Sequence, residues 1–188
     1  MKVLIFSDVP SSGFELPELE PDLVILLGDI FYRNVLRIDR KYQCSKVGVL
    51  GNHDKAYYFD DTNIVNVHKQ LISLNGLKIA GFQGSPIYND KPFGQHTDVE
   101  AESFIKSIDE ETIDLFLAHS NPVYNDTVND NAHRGFKAFN RLIQNNKVSY
   151  FLHGHLHDPF QIKERDTSII SIYPFQVIDL STCSIRNN

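Results

Sequence analysis

Gly51-Asn52-His53-Asp54 sets an amide oxygen, an imidazole and a carboxylate in consecutive positions, directly after the apolar run Val47-Gly48-Val49-Leu50. Asn52 offers a metal ion a carbonyl oxygen without adding charge, and His53 offers a ring nitrogen beside it. Alone, the tetrapeptide reads equally well as a strand-to-loop turn, since Gly and Asn favour turns and His and Asp are ordinary surface residues. Four other apolar runs end in the same manner: Leu4-Ile5-Phe6 before Asp8, residues 24–27 before Asp29, 115–118 before His119, and 150–152 before His155 and His157. Each taken singly is an unremarkable turn residue, cap or buried histidine. Together, in this order and always at the end of an apolar run, Asp8, Asp29, Asn52, His119, His155 and His157 make one donor set. Its mixture of hard oxygen and borderline nitrogen suits Mn²⁺, Fe or Zn²⁺ better than Ca²⁺ or Mg²⁺.

Such a set acts only if the fold gathers it. Strands are expected over 2–6, 22–27 and 46–50, separated by a loop or short helix at 9–21 and a helix over 30–42. That alternation predicts an α/β chain with parallel strands buried on both faces. Residues 64–67 and 70–74 are short β-like runs. Asn75-Gly76 is a hairpin turn, with 77–82 as the return strand. A loop at 84–96 leads to a helix over 98–109, with Thr97 or Asp98 as N-cap. Residues 114–118 read as a strand, 120–135 as a long polar loop, and 136–146 as a helix presenting Phe136, Phe139, Leu142 and Ile143 on one face. Residues 147–152 read as the next strand. Residues 160–163, 168–172 and 175–180 are expected to close the fold as antiparallel strands. In an open sheet the carboxyl ends of parallel strands share one edge, where ligands bind. The sequence contains neither an internal repeat nor a low-complexity linker, and one domain over 1–188 is expected.

The 188 residues carry a formal net charge of -6, which argues against a basic surface for nucleic acid but leaves room for a small phosphate ligand held through a metal. Cys44 and Cys183 lie far apart and match no zinc spacing, so a reduced, cytoplasmic setting is expected. No segment is long enough to span a membrane; Leu23 to Leu27 is the longest fully aliphatic run. The opening Met1-Lys2-Val3-Leu4-Ile5-Phe6 is cut off by Ser7-Asp8 too early for an export signal and reads as the first strand.

The ordered pattern resembles the calcineurin-like metallophosphoesterases, whose signature is D-x-H, GD, GNH[DE], H and GHxH at the ends of successive strands. The resemblance runs from Asp8 to His157, and 76–85 and 132–136 look like the small single-domain prokaryotic branch. It implies a four-layer αββα sandwich, two mixed β-sheets flanked by helices. It also implies up to two divalent ions, Mn²⁺ first and Fe or Zn²⁺ as alternatives. Asp29 would bridge both ions, Asn52, His119 and His155 would complete one site, and Asp8 and His157 would serve the other. A metal-bridging hydroxide would attack a small phosphomonoester or phosphodiester. His53 would assist the leaving group; Asp54 would either orient His53 or cap the next turn. One position departs from the signature: Asp8-Val9-Pro10 puts proline where the pattern has histidine, which weakens the Asp8/His157 site. Two other readings follow, a degenerate family member that binds metal or phosphate with little turnover, and a nuclease acting on oligonucleotides. Arg33, His133 and Arg134 are candidate phosphate contacts, each also readable as a solvated or capping residue. Tyr57, Tyr58 and Tyr88 could pack on a substrate ring, although tyrosines at loop starts more often pack on the protein.

Overall fold

The computed structural model describes residues 1–91, 93–124 and 130–180. Cys183 and part of the 120–135 loop lie outside the described residues. In chain order the elements are β1 (Lys2–Phe6), β2 (Leu23–Leu26), α1 (Tyr32–Lys41), β3 (Ser45–Gly48), β4 (Ile64–Asn66), β5 (Gln70–Leu74), β6 (Leu77–Phe82), β7 (Ser85–Pro86), β8 (Gln95–His96), α2 (Asp98–Ser107), β9 (Ile113–Ala118), α3 (Lys137–Gln144), β10 (Val148–His153), β11 (Phe160–Glu164), β12 (Thr167–Ser171) and β13 (Phe175–Asp179).

Two mixed sheets form, ordered β13-β1-β2-β3-β4 and β11-β12-β10-β9-β6-β5. Strands β1 to β4 run parallel, and β13 closes on β1 antiparallel. In the second sheet β6, β9, β10 and β12 run parallel, with β5 and β11 antiparallel at the edges. The expected antiparallel closure therefore holds for β13 on β1 and for the β11–β12 pair, while β12 joins the rest of its sheet by lying parallel to β10. The turn at Asn75-Gly76, both residues at positive φ, joins β5 to β6 as its sequence requires.

Side-chain alternation sorts the core into three clusters. Val3, Ile5, Ile25 and Val47 of the first sheet meet Ile79, Leu115, Leu117 and Leu152 of the second. On the outer side of the first sheet, Leu4, Phe6, Val24 and Leu26 pack with Val35 and Ile38 of α1. On the outer side of the second, Ala80, Phe82, Phe116 and Phe151 pack with Phe104 and Ile105 of α2 and with Phe139, Leu142 and Ile143 of α3. These clusters make four layers: helix, sheet, sheet, helices. Strands buried on both faces are apolar throughout, which is why they stand out in the sequence. Thr97 is the α2 N-cap, in a capping box with Glu100. The 84–96 loop carries a feature that was not expected, a two-residue parallel pairing of β7 with β8. Among the described residues no helix is long and apolar enough to cross a membrane.

Candidate metal centre

The carboxyl ends of β1, β2 and β3 in one sheet face those of β9 and β10 in the other. Glycines let the loops that leave them touch. A Cβ on Gly51 would overlap Asp29 Oδ1, one on Gly28 would overlap the Gly51 nitrogen, and one on Gly154 would overlap Ser7 Oγ. The two sheets are tied together at this edge by the His155 N–H to Asp8 Oδ2 bond (2.8 Å), while the Gly154 N–H to His119 O bond (3.0 Å) joins the ends of β10 and β9 within the second sheet. Asp8, Asp29, His155 and His157 all leave their strands at positive φ, between 50° and 69°. Asp and His tolerate this region better than most residues. It costs on the order of 1 kcal/mol each, and it turns the chain sharply at the crevice.

Asp8, Asp29 and His119 each present a ligand atom within 4.8 Å of the others. Asn52 joins them through Oδ1, 2.9 Å from His119 Nε2. His157 joins through Nε2, 3.1 Å from Asp8 Oδ1, with its ring stacked on Tyr173. His155 lies with its ring centroid 4.8 Å from that of His119. Its Nε2 donates to Ala132 O at 2.8 Å, which leaves Nδ1 with the free lone pair. His119 Nδ1 likewise donates to Leu27 O at 2.8 Å, which turns Nε2 toward the carboxylates. Carbonyls that fix the tautomer of a histidine in this way are the usual outer partners of metal-ligating imidazoles.

Charge balance makes the same point. Burial disfavours the Asp29 carboxylate, but His119 outweighs it and holds Asp29 down at about 2. Burial also opposes charge on His119, yet Asp29 beside it raises His119 to about 9. Without metal, two buried carboxylates thus recruit a proton onto His119, whose two ring nitrogens both face oxygen atoms. Asp8 is lowered despite burial, through His157 and His119. His157 is raised by its bond to Asp8. Burial and His119 hold His155 neutral, at about 3. Two carboxylates, a neutral amide oxygen and imidazoles with oriented lone pairs fit a divalent transition-metal ion.

Around this centre the structure redistributes several sequence candidates. His53 is exposed, with Nε2 4.0 Å from Asp29 Oδ2, while its backbone N–H donates to Asp29 Oδ1 at 2.8 Å. Asp54 neither orients the His53 ring nor caps the next turn. Its buried Oδ2 accepts from the N–H groups of Gly51 (2.7 Å) and Asp29 (2.9 Å), and so ties two ligand loops together. Burial and Asp29 raise Asp54 to about 7. Tyr88 reaches Asn52, whose Nδ2 donates to the phenol oxygen at 2.9 Å. Lys91 Nζ lies 3.4 Å from His53 Nδ1. Ser7 Oγ donates to Asp8 Oδ2 at 2.6 Å. The Tyr88 and Lys91 contacts have no local sequence signal, because each joins loops that meet only in the fold.

Arg134 pairs with Asp98 on α2, its Nη2 donating to Asp98 Oδ2 at 2.8 Å. His133 Nδ1 bonds Asp130 Oδ2 at 2.8 Å, and its ring lies 4.6 Å from that of His155, so the end of the 120–135 loop covers one side of the centre. Arg33 is exposed on the first turn of α1. Tyr57 and Tyr58 pack with Tyr32 at centroid distances of 5.8 and 5.1 Å, as tyrosines at loop starts usually do. Pro10 gives its carbonyl to Asn34 Nδ2 at 2.8 Å.

A family model described as calcineurin-like phosphoesterase matches residues 1–159. Among solved structures, phosphopantetheinyl hydrolase from Mycobacterium tuberculosis superposes with a TM-score of 0.57 at 15% identity, covering 91% of this chain and 89% of that one. The calcineurin-like phosphoesterase YfkN from Bacillus subtilis gives 0.52 at 14% identity, covering 94% and 83%. A single mutant of Vps29 from Entamoeba histolytica gives 0.50 at 13% identity, covering 96% and 86%. At these identities the likeness establishes the shared fold. No curated protein matches the chain.

Proposed function

The chain belongs to the calcineurin-like phosphoesterase family, and from that premise we propose that it is a metal-dependent phosphoesterase acting on a small phosphomonoester or phosphodiester. The observation that carries the reading is the convergence of Asp8, Asp29 and His119 within 4.8 Å at the joint edge of the two sheets. In this reading Asp29 is shared between two divalent ions, Mn²⁺ in the first instance. Asn52, His119 and His155 complete one site, and Asp8 and His157 the other. Ions held there supply Lewis acidity, neutralising phosphoryl oxygens and lowering the pKa of water. The chain does the rest. Asn52, being neutral, keeps the negative charge of the centre at two carboxylates, so an anionic ester is still attracted. His53, exposed beside Asp29, assists the leaving group through its Nε2–H, a contribution of about 10²- to 10⁴-fold for a group of this kind. His133, whose ring lies 4.6 Å from that of His155, and Arg33 on the first turn of α1 are the candidate phosphate contacts in this reading. A net charge of -6 favours a small ester over a nucleic acid strand.

Pro10 supports a second reading, in which the chain binds metal or phosphate and turns over little. The test is hydrolysis of p-nitrophenyl phosphate and bis(p-nitrophenyl) phosphate by metal-depleted protein supplied with Mn²⁺, Fe²⁺ or Zn²⁺. The enzyme reading expects turnover that is lost in Asp29→Asn. Bound metal with no turnover on either ester would replace it with the second reading. Cleavage confined to oligonucleotides and falling steeply with salt would point to a nuclease.

A further inference from the structure

We infer that the segment folded over Asn52-His53 is the positioning shell of the centre, Tyr88 orienting the Asn52 amide and Lys91 setting which nitrogen of His53 carries the proton. The inference rests on the phosphoesterase reading for the role of His53, but not for the role of Tyr88.

An amide side chain presents oxygen on one side and NH₂ on the other, and a half-turn exchanges them. For Asn52 to offer oxygen to a cation, its NH₂ must be held on the opposite side. Tyr88 does that: the phenol oxygen accepts from Nδ2 at 2.9 Å while Oδ1 faces His119 Nε2 at 2.9 Å. A flipped amide would aim N–H groups at the cation and at His119 Nε2, so those two select the oxygen-inward orientation and Tyr88 supplies the acceptor that holds the NH₂ away from them. Tyr88 is itself braced. Its backbone N–H donates to Gln95 Oε1 at 2.8 Å, and Gln95 Nε2 donates to Asn89 Oδ1 at 2.8 Å and to Lys91 O at 3.1 Å. The same segment rests on the Asn52 backbone, where a Cβ on Gly94 would come within 2.7 Å of the Asn52 Cα.

Lys91 works on the next residue. An ammonium group only donates, so at 3.4 Å the Nδ1 of His53 is the acceptor. The ring proton therefore resides on Nε2, the nitrogen that faces Asp29. In that tautomer the Nε2–H is the group free to hydrogen-bond the departing oxygen and stabilise its charge. Glutamine, tyrosine and lysine of one loop thus fix two adjacent side chains from the solvent side, in the way that outer partners tune metal ligands.

Calorimetric titration of metal-depleted protein with Mn²⁺ tests Tyr88 without reference to activity. Tyr88→Phe removes one oxygen and should weaken binding about 10- to 100-fold, with metal-free melting unchanged. In an Asn52→Ala background the same change should do nothing further. Wild-type affinity in Tyr88→Phe, or an equal loss on top of Asn52→Ala, would overturn the assignment. For Lys91, Lys91→Met should lower kcat on aryl phosphates by a factor that grows with the pKa of the departing phenol, at unchanged Mn²⁺ affinity. Lys91→Arg, which also only donates, should retain activity, and Lys91→Met should add nothing to His53→Ala. A loss independent of the phenol, or additive with His53→Ala, would refute it. Wild-type protein that binds Mn²⁺ but hydrolyses neither ester defeats the phosphoesterase reading and the Lys91 assignment together, and leaves Tyr88 to be judged on binding.

Discussion

Raising the pH should tighten Mn²⁺ binding steeply, because the cation must displace the proton that His119 holds. Asp29 raises His119 to about 9 against the cost of burial, and both ring nitrogens face oxygen atoms. Below that value each pH unit adds roughly one power of ten to the competition, worth about 1.4 kcal/mol per unit. Between pH 6.5 and 8.5 the apparent affinity of the Asn52/His119/His155 site should therefore rise roughly 10- to 100-fold. His155 is neutral throughout this window and contributes nothing. Calorimetry at one pH, in buffers of different ionisation enthalpy, counts the protons released. About one proton should accompany the first ion near neutrality, and His119→Gln should abolish it. Heats independent of buffer, or an affinity flat across the window, would refute the charge balance described for the centre.

His53→Ala should lower kcat about 10²- to 10⁴-fold with metal content unchanged; loss of metal would make His53 a ligand instead. Asp54→Ala strands the Gly51 and Asp29 N–H groups and should cost about 2 kcal/mol of stability in denaturant unfolding. Asp54→Asn keeps an acceptor and should cost much less, since burial and Asp29 already bring Asp54 to about 7. Metal-free protein should lose stability as the pH rises above neutrality and again in strong acid. The raised His119 contributes stability below its unfolded value of 6.5 that is lost as pH climbs through about 9, and the depressed Asp29 contributes stability above 3.8 that is lost as pH falls through about 2. A melting temperature flat from pH 6.5 to 9 without metal would contradict this. Pro10→His should reduce the dependence of activity on added Mn²⁺ by completing the Asp8/His157 site, and it frees Val9 from its pre-proline restriction.

Much of the architecture is legible because strands buried on both faces must be apolar from end to end, so each ligand-bearing residue falls at an abrupt change from apolar to polar. Asp8, Asp29, Asn52 and His119 were visible for that reason, and the Asn75-Gly76 turn for its φ requirement. The parallel pairing of β12 with β10 was not visible, since the apolar run at 167–171 is compatible with either direction and only its place in the sheet decides. The contacts of Asp54 with Asp29, and of Tyr88 and Lys91 with Asn52 and His53, were hidden for a related reason: these partners lie in loops brought together by the two-sheet edge, and a tyrosine or lysine in a polar loop looks the same whether or not it bonds a ligand. Arg134 went the other way, since its pairing with Asp98 depends on how α2 meets the loop.

The central claim is that the joint edge of the two sheets holds divalent metal on Asp29. Anomalous diffraction from Mn²⁺-loaded crystals tests it most directly. The expected result is a strong peak in contact with Asp29, Asn52, His119 and His155, and a weaker one in contact with Asp29, Asp8 and His157. A map with no peak at Asp29, from protein that hydrolyses phosphoesters under the same conditions, would contradict the account.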